Sequence, residues 1–264
     1  GDSAQAMNYY RPCPAAEREA GPPRGVAGAL QGIGLIHALD GNHALAPEVY
    51  RENLSVVESL PDKASIVDAW RKVGGAHFSL GQLDQALEDF KQALAVEETA
   101  DALVDLGVTY AAKADYANAL EAYHKGKALY ASANEMLAVA AVLLNEGMVS
   151  YAQKDYAKTI EQATQAAATA KQLGDDDLFW QARYCAGKAQ YRSGKLDLAR
   201  QAFVEAVPMI ETLRPQQRSA RQPRFYESRL APYQAMVDVA VSEGKGNEAF
   251  DYAEGAKSRS LTGV

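Results

Sequence analysis

Four histidines, His37, His43, His77 and His124, and two cysteines, Cys13 and Cys185, are the residues of this 264-residue chain best suited to proton transfer, nucleophilic attack or metal binding. Their spacing argues against all three. A zinc site needs more ligands at short separations, and a disulfide framework needs more cysteines, so both thiols read as free. No GxxxxGK[ST] phosphate loop, HExxH or GxSxG occurs, and Gly32-Ile33-Gly34 lacks the third glycine and preceding strand of a dinucleotide fingerprint. The run Gly174-Asp175-Asp176-Asp177 offers carboxylates without the alternating ligand spacing and closing glutamate of a calcium loop. It reads instead as a helix-stopping glycine followed by caps for the next helix. Asn53-Leu54-Ser55 is a glycosylation sequon that matters only in a secreted eukaryotic chain. The sequence therefore predicts no catalytic residue, no cofactor and no metal.

The residues that do recur are apolar and small, and their spacing predicts helices. In residues 69–94, AWRKVGGAHFSLGQLDQALEDFKQAL, Trp70, Val73, Gly74, His77 and Phe78 share one face by the i, i+3, i+4, i+7 rule. Ala86, Phe90, Ala93 and Leu94 do the same in a second run, and Gly81 divides the two. A glycine there can enter the left-handed region and let the second helix fold back on the first. Gly74 and Ala86 are small where two backbones come close, while Trp70 and Phe90 fill the space beside them.

This pattern resembles the tetratricopeptide repeat, with Trp70, Val73, Gly74, His77, Gly81, Ala86, Phe90 and Ala93 at its signature places. Val for Leu and His for Tyr are the departures, and both preserve bulk. His37 and His77 stand where Tyr110 stands in a later repeat, so they read as packing residues with a polar tip. The resemblance implies an all-α fold, an α-solenoid of about six helix-turn-helix units forming a right-handed superhelix.

Other stretches repeat the frame. Leu30, Ile33, Gly34, His37, Gly41, Ala46, Tyr50 and Asn53 form an earlier unit, tolerable with Pro47 only if that proline falls in the first turn of the second helix. Leu103, Leu106, Gly107, Tyr110, Tyr116, Ala119, Tyr123 and Gly126 follow the template, with Gly107 lying 33 residues after Gly74. Leu143, Gly147, Tyr151, Tyr156, Ala163 and Ala166 keep the frame more weakly, since Glu146 and Thr159 replace an expected Leu and Ala. Ala186, Gly187, Tyr191, Gly194, Leu196, Ala199, Phe203 and Ala206 restore it. Steps of 40 residues between Gly34 and Gly74, Gly107 and Gly147, and Gly147 and Gly187 predict longer helices in those units. The expected organisation is a proline-bearing irregular lead-in over 1–25 and a solenoid over 26–264, with units near 27–60, 67–99, 100–133, 140–173, 180–213 and 221–261.

The last unit holds Tyr233, Met236, Gly244, Ala249, Ala253 and Ala256 in frame. It follows an insertion rich in arginine, Arg214, Arg218, Arg221, Arg224 and Arg229, which reads as a solvated face with local ion pairs, with a grip on an acidic partner as the alternative. Residues 221–241 read as one long helix with Pro232 as a kink point. Residues 210–261, with segments IETLR, RFYESRLAPYQAMVDVAV and EAFDYAEGAKSRSL, look like the repeats that precede the caspase-like CHAT domain of bacterial tetratricopeptide–CHAT proteins. That resemblance implies a C-terminal CHAT domain as a partner in the native chain and a regulatory or sensory role for the repeats. The histidine and cysteine of that domain have no counterpart here, so no residue inherits a catalytic role.

A formal net charge of −7 disfavours nucleic acid and anionic membrane as partners. The longest apolar run, 136–144, is too short to span a bilayer. Nothing in the composition fixes a compartment: the cytoplasm is favoured, and a removed signal segment would leave the same beginning. In such solenoids the first helices line a concave channel. The repeat register puts Leu35, Arg71, Phe78, Val104, Val108 and Leu144 there, and with them Met148, Tyr151, Tyr184, Lys188, Tyr191 and Arg192. Aromatic, Met and Arg side chains are enriched in interface hot spots. The clamp that some tetratricopeptide proteins use for a C-terminal carboxylate fails here, because Gly75, Val104, Val108 and Cys185 occupy required places. The sequence thus predicts a non-enzymatic protein-interaction scaffold holding a peptide or protein segment in its channel, with self-assembly through an uncapped C-terminal edge as the alternative.

Overall fold

Periodic apolar faces closed by glycine or aspartate fold here as twelve helices among the described residues, with no strand. The structure is a computed structural model and describes residues 23–39, 45–212 and 223–261. Residues 1–22 of the lead-in, with Cys13, and Gly41, His43, Arg214, Arg218 and Arg221 lie outside the described residues, whereas residues 23–25, expected to be irregular, already belong to the first helix. So do the side chains of Arg224 and Arg229.

Two compact units divide the chain, the first ending at Leu129 and the second starting at Tyr130. The first holds α1 (Pro23–Leu39), α2 (Ala46–Val57), α3 (Lys63–Ser79), α4 (Leu83–Val96), α5 (Ala100–Ala112) and most of α6 (Tyr116–Ser132). Each helix packs on its successor from α1 to α5, and α3 also touches α5, so neighbouring pairs meet through their first helices. Gly107 of α5 faces the Tyr123 ring of α6. The core is built from Tyr50, Val73 and Ala76 in one cluster and Val67, Ala93 and Ala102 in another.

The second unit holds α7 (Met136–Ala152), α8 (Tyr156–Leu173), α9 (Asp176–Arg192), α10 (Leu196–Thr212), α11 (Pro223–Ser242) and α12 (Gly246–Leu261). Successive helices pack in the same way, and the first helices of pairs again meet, α7 with α9 and α9 with α11. An alanine-rich core of Ala163, Ala166, Ala167 and Ala170 against Phe179 and Ala182 joins α7, α8 and α9.

Local chemistry explains the boundaries. Asp155 and Asp175 cap α8 and α9 by accepting hydrogen bonds from Lys158 N (3.1 Å) and Leu178 N (2.8 Å). Pro47 sits in the first turn of α2, where a missing N–H is harmless. Pro232 lies inside α11, which begins at Pro223. Inside the pairs the chain turns through the left-handed region, at Gly81 with φ 73° and at Gly194 with φ 75°. The equivalent turns of the middle repeats use Ala114 (φ 60°) and Lys154 (φ 64°), residues without glycine's freedom. Helix lengths follow the later repeat steps: α4 and α5 have 14 and 13 residues, whereas α6 to α9 have 17, 17, 18 and 17. The 40-residue step from Gly34 to Gly74 departs from the expectation, since α2 within it has only 12 residues.

Candidate functional site

Helix α9 carries Tyr184, Lys188, Tyr191 and Arg192 at positions i, i+4, i+7 and i+8, which places them along one face. Because α9 touches α7, α10 and α11, that face becomes one wall of a cleft of about 280 Å³ within the second unit. Tyr151 from the last turn of α7 and Phe203 from α10 complete an aromatic floor, and Ala231, Gln234, Ala235 and Asp238 of α11 form the opposite wall. The alanines keep that wall open.

Lys188 Nζ lies 4.7 Å from the Tyr151 ring centroid and 5.4 Å from that of Tyr184. Tyr184 in turn packs against Phe203 at 5.8 Å between centroids, and Tyr151 against Tyr156 at 5.5 Å. The Tyr151 and Tyr184 rings therefore hold the ammonium by their quadrupoles while each packs against a further ring. Tyr191 Oη and Ser242 Oγ are 2.9 Å apart, and Gln234 Nε2 donates to Asp238 Oδ1 at 3.3 Å, so both walls are braced. Burial, aided by the nearby Tyr151 and Asp238, pushes the Tyr184 phenol above its ordinary value. It stays a neutral donor at physiological pH. Cys185, next to it in sequence but turned into the core, has its thiol pushed up to about 11 by burial, which denies it thiolate chemistry.

The cleft gathers five of the twelve residues expected from the repeat register: Tyr151, Tyr184, Lys188, Tyr191 and Arg192. Arg71, Phe78, Val104 and Val108 belong to the first unit and are not part of its lining. Arg71 is already engaged, donating from Nε to Asp105 Oδ2 (2.7 Å) and from Nη1 to Asp101 Oδ2 (2.9 Å). Burial raises the Asp105 carboxyl, and Arg71 pulls it back. Val104 packs toward Gly126 of α6, and Phe78 and Val108 are half-buried.

Leu144 needs correction. It is 5 % exposed and sits among Ala163, Phe179 and Ala182, because α8 and α9 both close over that part of α7. Met148, one turn later, is 57 % exposed but lies outside the cleft lining. The register did not single out Phe203 or the α11 wall as site residues. The available signal was Gln234 and Asp238, four apart, alternating with the buried Tyr233 and Met236.

Of the two histidines expected to pack with a polar tip, both are buried and His77 has partners. Arg51 Nη2 donates to His77 Nε2 at 3.2 Å, which leaves the proton on Nδ1 to be donated to Asp89 Oδ2 at 2.5 Å. An Asp–His pair resembles a general base, yet its outer nitrogen faces a guanidinium rather than a hydroxyl or thiol. The aspartates after Gly174 are spent locally: Asp175 caps α9, and Asp177 accepts from Trp180 Nε1 (2.9 Å) and Gln181 Nε2 (3.0 Å). Among the described residues no group of three His, Cys, Asp or Glu side chains is placed to hold a metal ion, and no helix is long and apolar enough to cross a membrane.

Solved structures with the same architecture include the Cut9–Hcn1 hetero-tetramer of the APC/C. It aligns with a TM-score of 0.68 and 14 % identity over 95 % of this chain, which spans 43 % of that protein's length. A tetratricopeptide repeat protein from Parabacteroides merdae aligns at 0.63 and 16 % identity, covering 97 % of this chain and 88 % of its own. Aspartyl phosphate phosphatase F from Bacillus subtilis aligns at 0.64 and 12 % identity, covering 92 % and 73 %. At these identities the likeness is one of fold. No curated protein sequence matches the chain. Two family profiles do, the tetratricopeptide repeat over residues 25–98 and the family described as 26S proteasome subunit RPN7 over residues 74–220, more than half of the length. Neither indicates a catalytic family, and proteins of the tetratricopeptide type generally act as protein-interaction scaffolds. On these matches the chain belongs to the family described as 26S proteasome subunit RPN7 and carries tetratricopeptide repeats at its N-terminal side.

Proposed function

We propose that this chain is a protein-interaction scaffold that holds a peptide or protein segment in the α7–α9–α10–α11 cleft. The observation that carries the reading is the convergence of Tyr151, Tyr184 and Tyr191, none of them fully buried, around a single cleft. Tyrosine rings bury much area for little rotamer entropy and keep a hydroxyl for orientation. A photo-crosslinking residue placed at exposed Gln234 should trap the partner, whereas one at exposed Glu254 on α12 should not. Tyr151→Ala with Tyr191→Ala should abolish the crosslink while leaving the helical signal intact. A crosslink that survives the double variant, or one equally strong from Glu254, would remove the cleft as the binding site.

Arg71, Phe78, Val104 and Val108 enter this proposal only as contacts within the first unit, and Met148 as a secondary contact within the second. The likeness of residues 210–261 to CHAT-preceding repeats supports reading the module as the regulatory arm of a larger CHAT-type protein, and sequencing the native gene past Val264 tests that directly. A second reading is self-association, favoured by Phe250 (65 % exposed) and Val241 (61 % exposed) on α12 and α11. A concentration-independent monomer by light scattering would sink it.

A further inference from the structure

The half-buried basic side chains of the described residues divide by their partners. Arg71 lies against Asp101 and Asp105, Lys72 against Asp68, Arg183 against Glu205, and Arg200 against Glu243 and Glu248. Lys188 is half-buried as well, yet its neighbours are the Tyr151 and Tyr184 rings, and no carboxylate of the described residues lies within ion-pair reach of it or of Arg192. An acidic protein has carboxylates to spare. That none of the described carboxylates reaches this pair leaves α9 with two cations, one turn apart, facing into a cleft.

Aromatic rings hold an ammonium in place without neutralising it. Lys188 is thereby preorganised for an anion, and Arg192, exposed and one turn on, adds a second donor group that can share the same oxygen pair. The far wall restricts which anion. Asp238 lies across the cleft, so a second negative charge on the ligand would meet a carboxylate, while a neighbouring N–H would meet an acceptor. The half-buried Tyr184 ring, backed by the fully buried Phe203, asks for an apolar group beside the charge. A volume of about 280 Å³ sits at the small end for a ligand cavity, enough for a short piece of chain.

Resting on the reading of this cleft as a peptide-binding site, we infer that it recognises an internal Asp or Glu side chain of a partner segment, with its carboxylate between Lys188 and Arg192. The following apolar side chain lies on Tyr184, and Asp238 accepts from the segment's backbone. Asp238 is then the residue that selects a singly charged carboxylate over a phosphorylated side chain.

The test uses pools of acetylated, amidated tetrapeptides, which carry no terminal charge. Their second residue is Glu, Gln or phosphoserine, and their third is varied through the apolar residues. Titration of the labelled full chain is followed by amide and tyrosine resonances. The Glu pool should bind about tenfold more tightly than the Gln pool, the worth of a charge-assisted hydrogen bond. Lys188→Met and Arg192→Gln should each erase most of that preference, and Arg192, being exposed, can be changed without harm to folding. Asp238→Asn should let the phosphoserine pool bind at least as tightly as the Glu pool. If Glu and Gln pools shift the cleft resonances equally, the charge assignment falls and the peptide site stands. Tighter binding of phosphoserine to the unaltered protein also overturns the assignment. If no pool shifts any cleft resonance, the peptide site falls, and the inference with it.

Discussion

The α3–α4 and α7–α8 pairs share one frame but solve the same packing problem differently. In α3–α4, a Cβ placed on Gly74 would lie 2.7 Å from Phe90 Cε1, because the ring lies flat on the bare backbone. The same close approach recurs at Gly107 with Tyr123 (2.6 Å) and at Gly187 with Phe203 (2.5 Å). In α7–α8 the ring's place is taken by Ala163, and a Cβ on Gly147 would meet nothing closer than Gln162 Cβ at 3.5 Å. Polar groups fill the neighbourhood instead. Ser150 Oγ donates to Gln162 Oε1 at 2.9 Å, Gln162 Nε2 donates to Glu146 Oε2 at 3.3 Å, and all three residues are buried. The comparison teaches that the repeat glycine is required by its aromatic partner, not by the helix crossing itself.

The sharpest way to break the comparison is to delete the ring. Phe90→Ala, at a site 3 % exposed, should cost roughly 3–5 kcal/mol in chemical denaturation. No equivalent loss is available in α7–α8. Next in size is the methyl test. Gly74→Ala should cost about 1–3 kcal/mol through overpacking against Phe90, whereas Gly147→Ala should gain about 0.5–1 kcal/mol from helix propensity. In a Phe90→Ala background the Gly74→Ala penalty should vanish, since the two changes share one contact. An unchanged penalty there would mean that the helix crossing, and not the ring, demands glycine.

These particulars also mark how far the sequence could be read. The helix pairs and the Gly81, Gly194 and Gly244 turns follow from residue type at fixed spacing, because glycine at a left-handed φ carries its reason in its chemistry. Ala114 and Lys154 carry no such mark, although they adopt the same conformation. The spacing also marks Gly74 as a place for a small residue, but it assigns the cause to a backbone crossing beside Ala86, whereas the structure sets Gly74 against the Phe90 ring. Leu144 was misplaced for a different reason: register gives the face of α7, but the part of that face covered by α9 is decided by packing. The cleft was half legible. Its α9 wall and Tyr151 follow from the repeat, while Phe203 looked like ordinary core, and α11 enters from beyond the arginine-rich insertion, where the frame gives little guidance.

A smaller effect separates the turns of the two pairs. Gly81 and Lys154 both close a helix pair with positive φ, but only the lysine has a Cβ to strain against the following carbonyl. Lys154→Gly should therefore stabilise the chain by about 1 kcal/mol, and Gly81→Ala should destabilise it by a similar amount. Equal and negligible changes at both sites would mean that these turns tolerate the left-handed region without cost.

The smallest expected effect concerns the buried polar contact of α3–α4, where Asp89 accepts from His77. Burial raises the Asp89 carboxyl above its ordinary value of 3.8, and the His77 hydrogen bond offsets that only in part. A carboxyl whose folded pKa is raised favours the folded state most when protonated, below its unfolded pKa. That contribution is lost as pH rises through the folded value. Asp89→Asn keeps an acceptor for His77 Nδ1 but cannot titrate. The stability of the unaltered chain relative to Asp89→Asn should thus fall as pH rises from 3.8 through the raised folded value, read as the difference between their denaturation midpoints. A relative stability that rises over that window would show that the His77 and Arg51 side of the contact, favouring the charged carboxylate, outweighs burial.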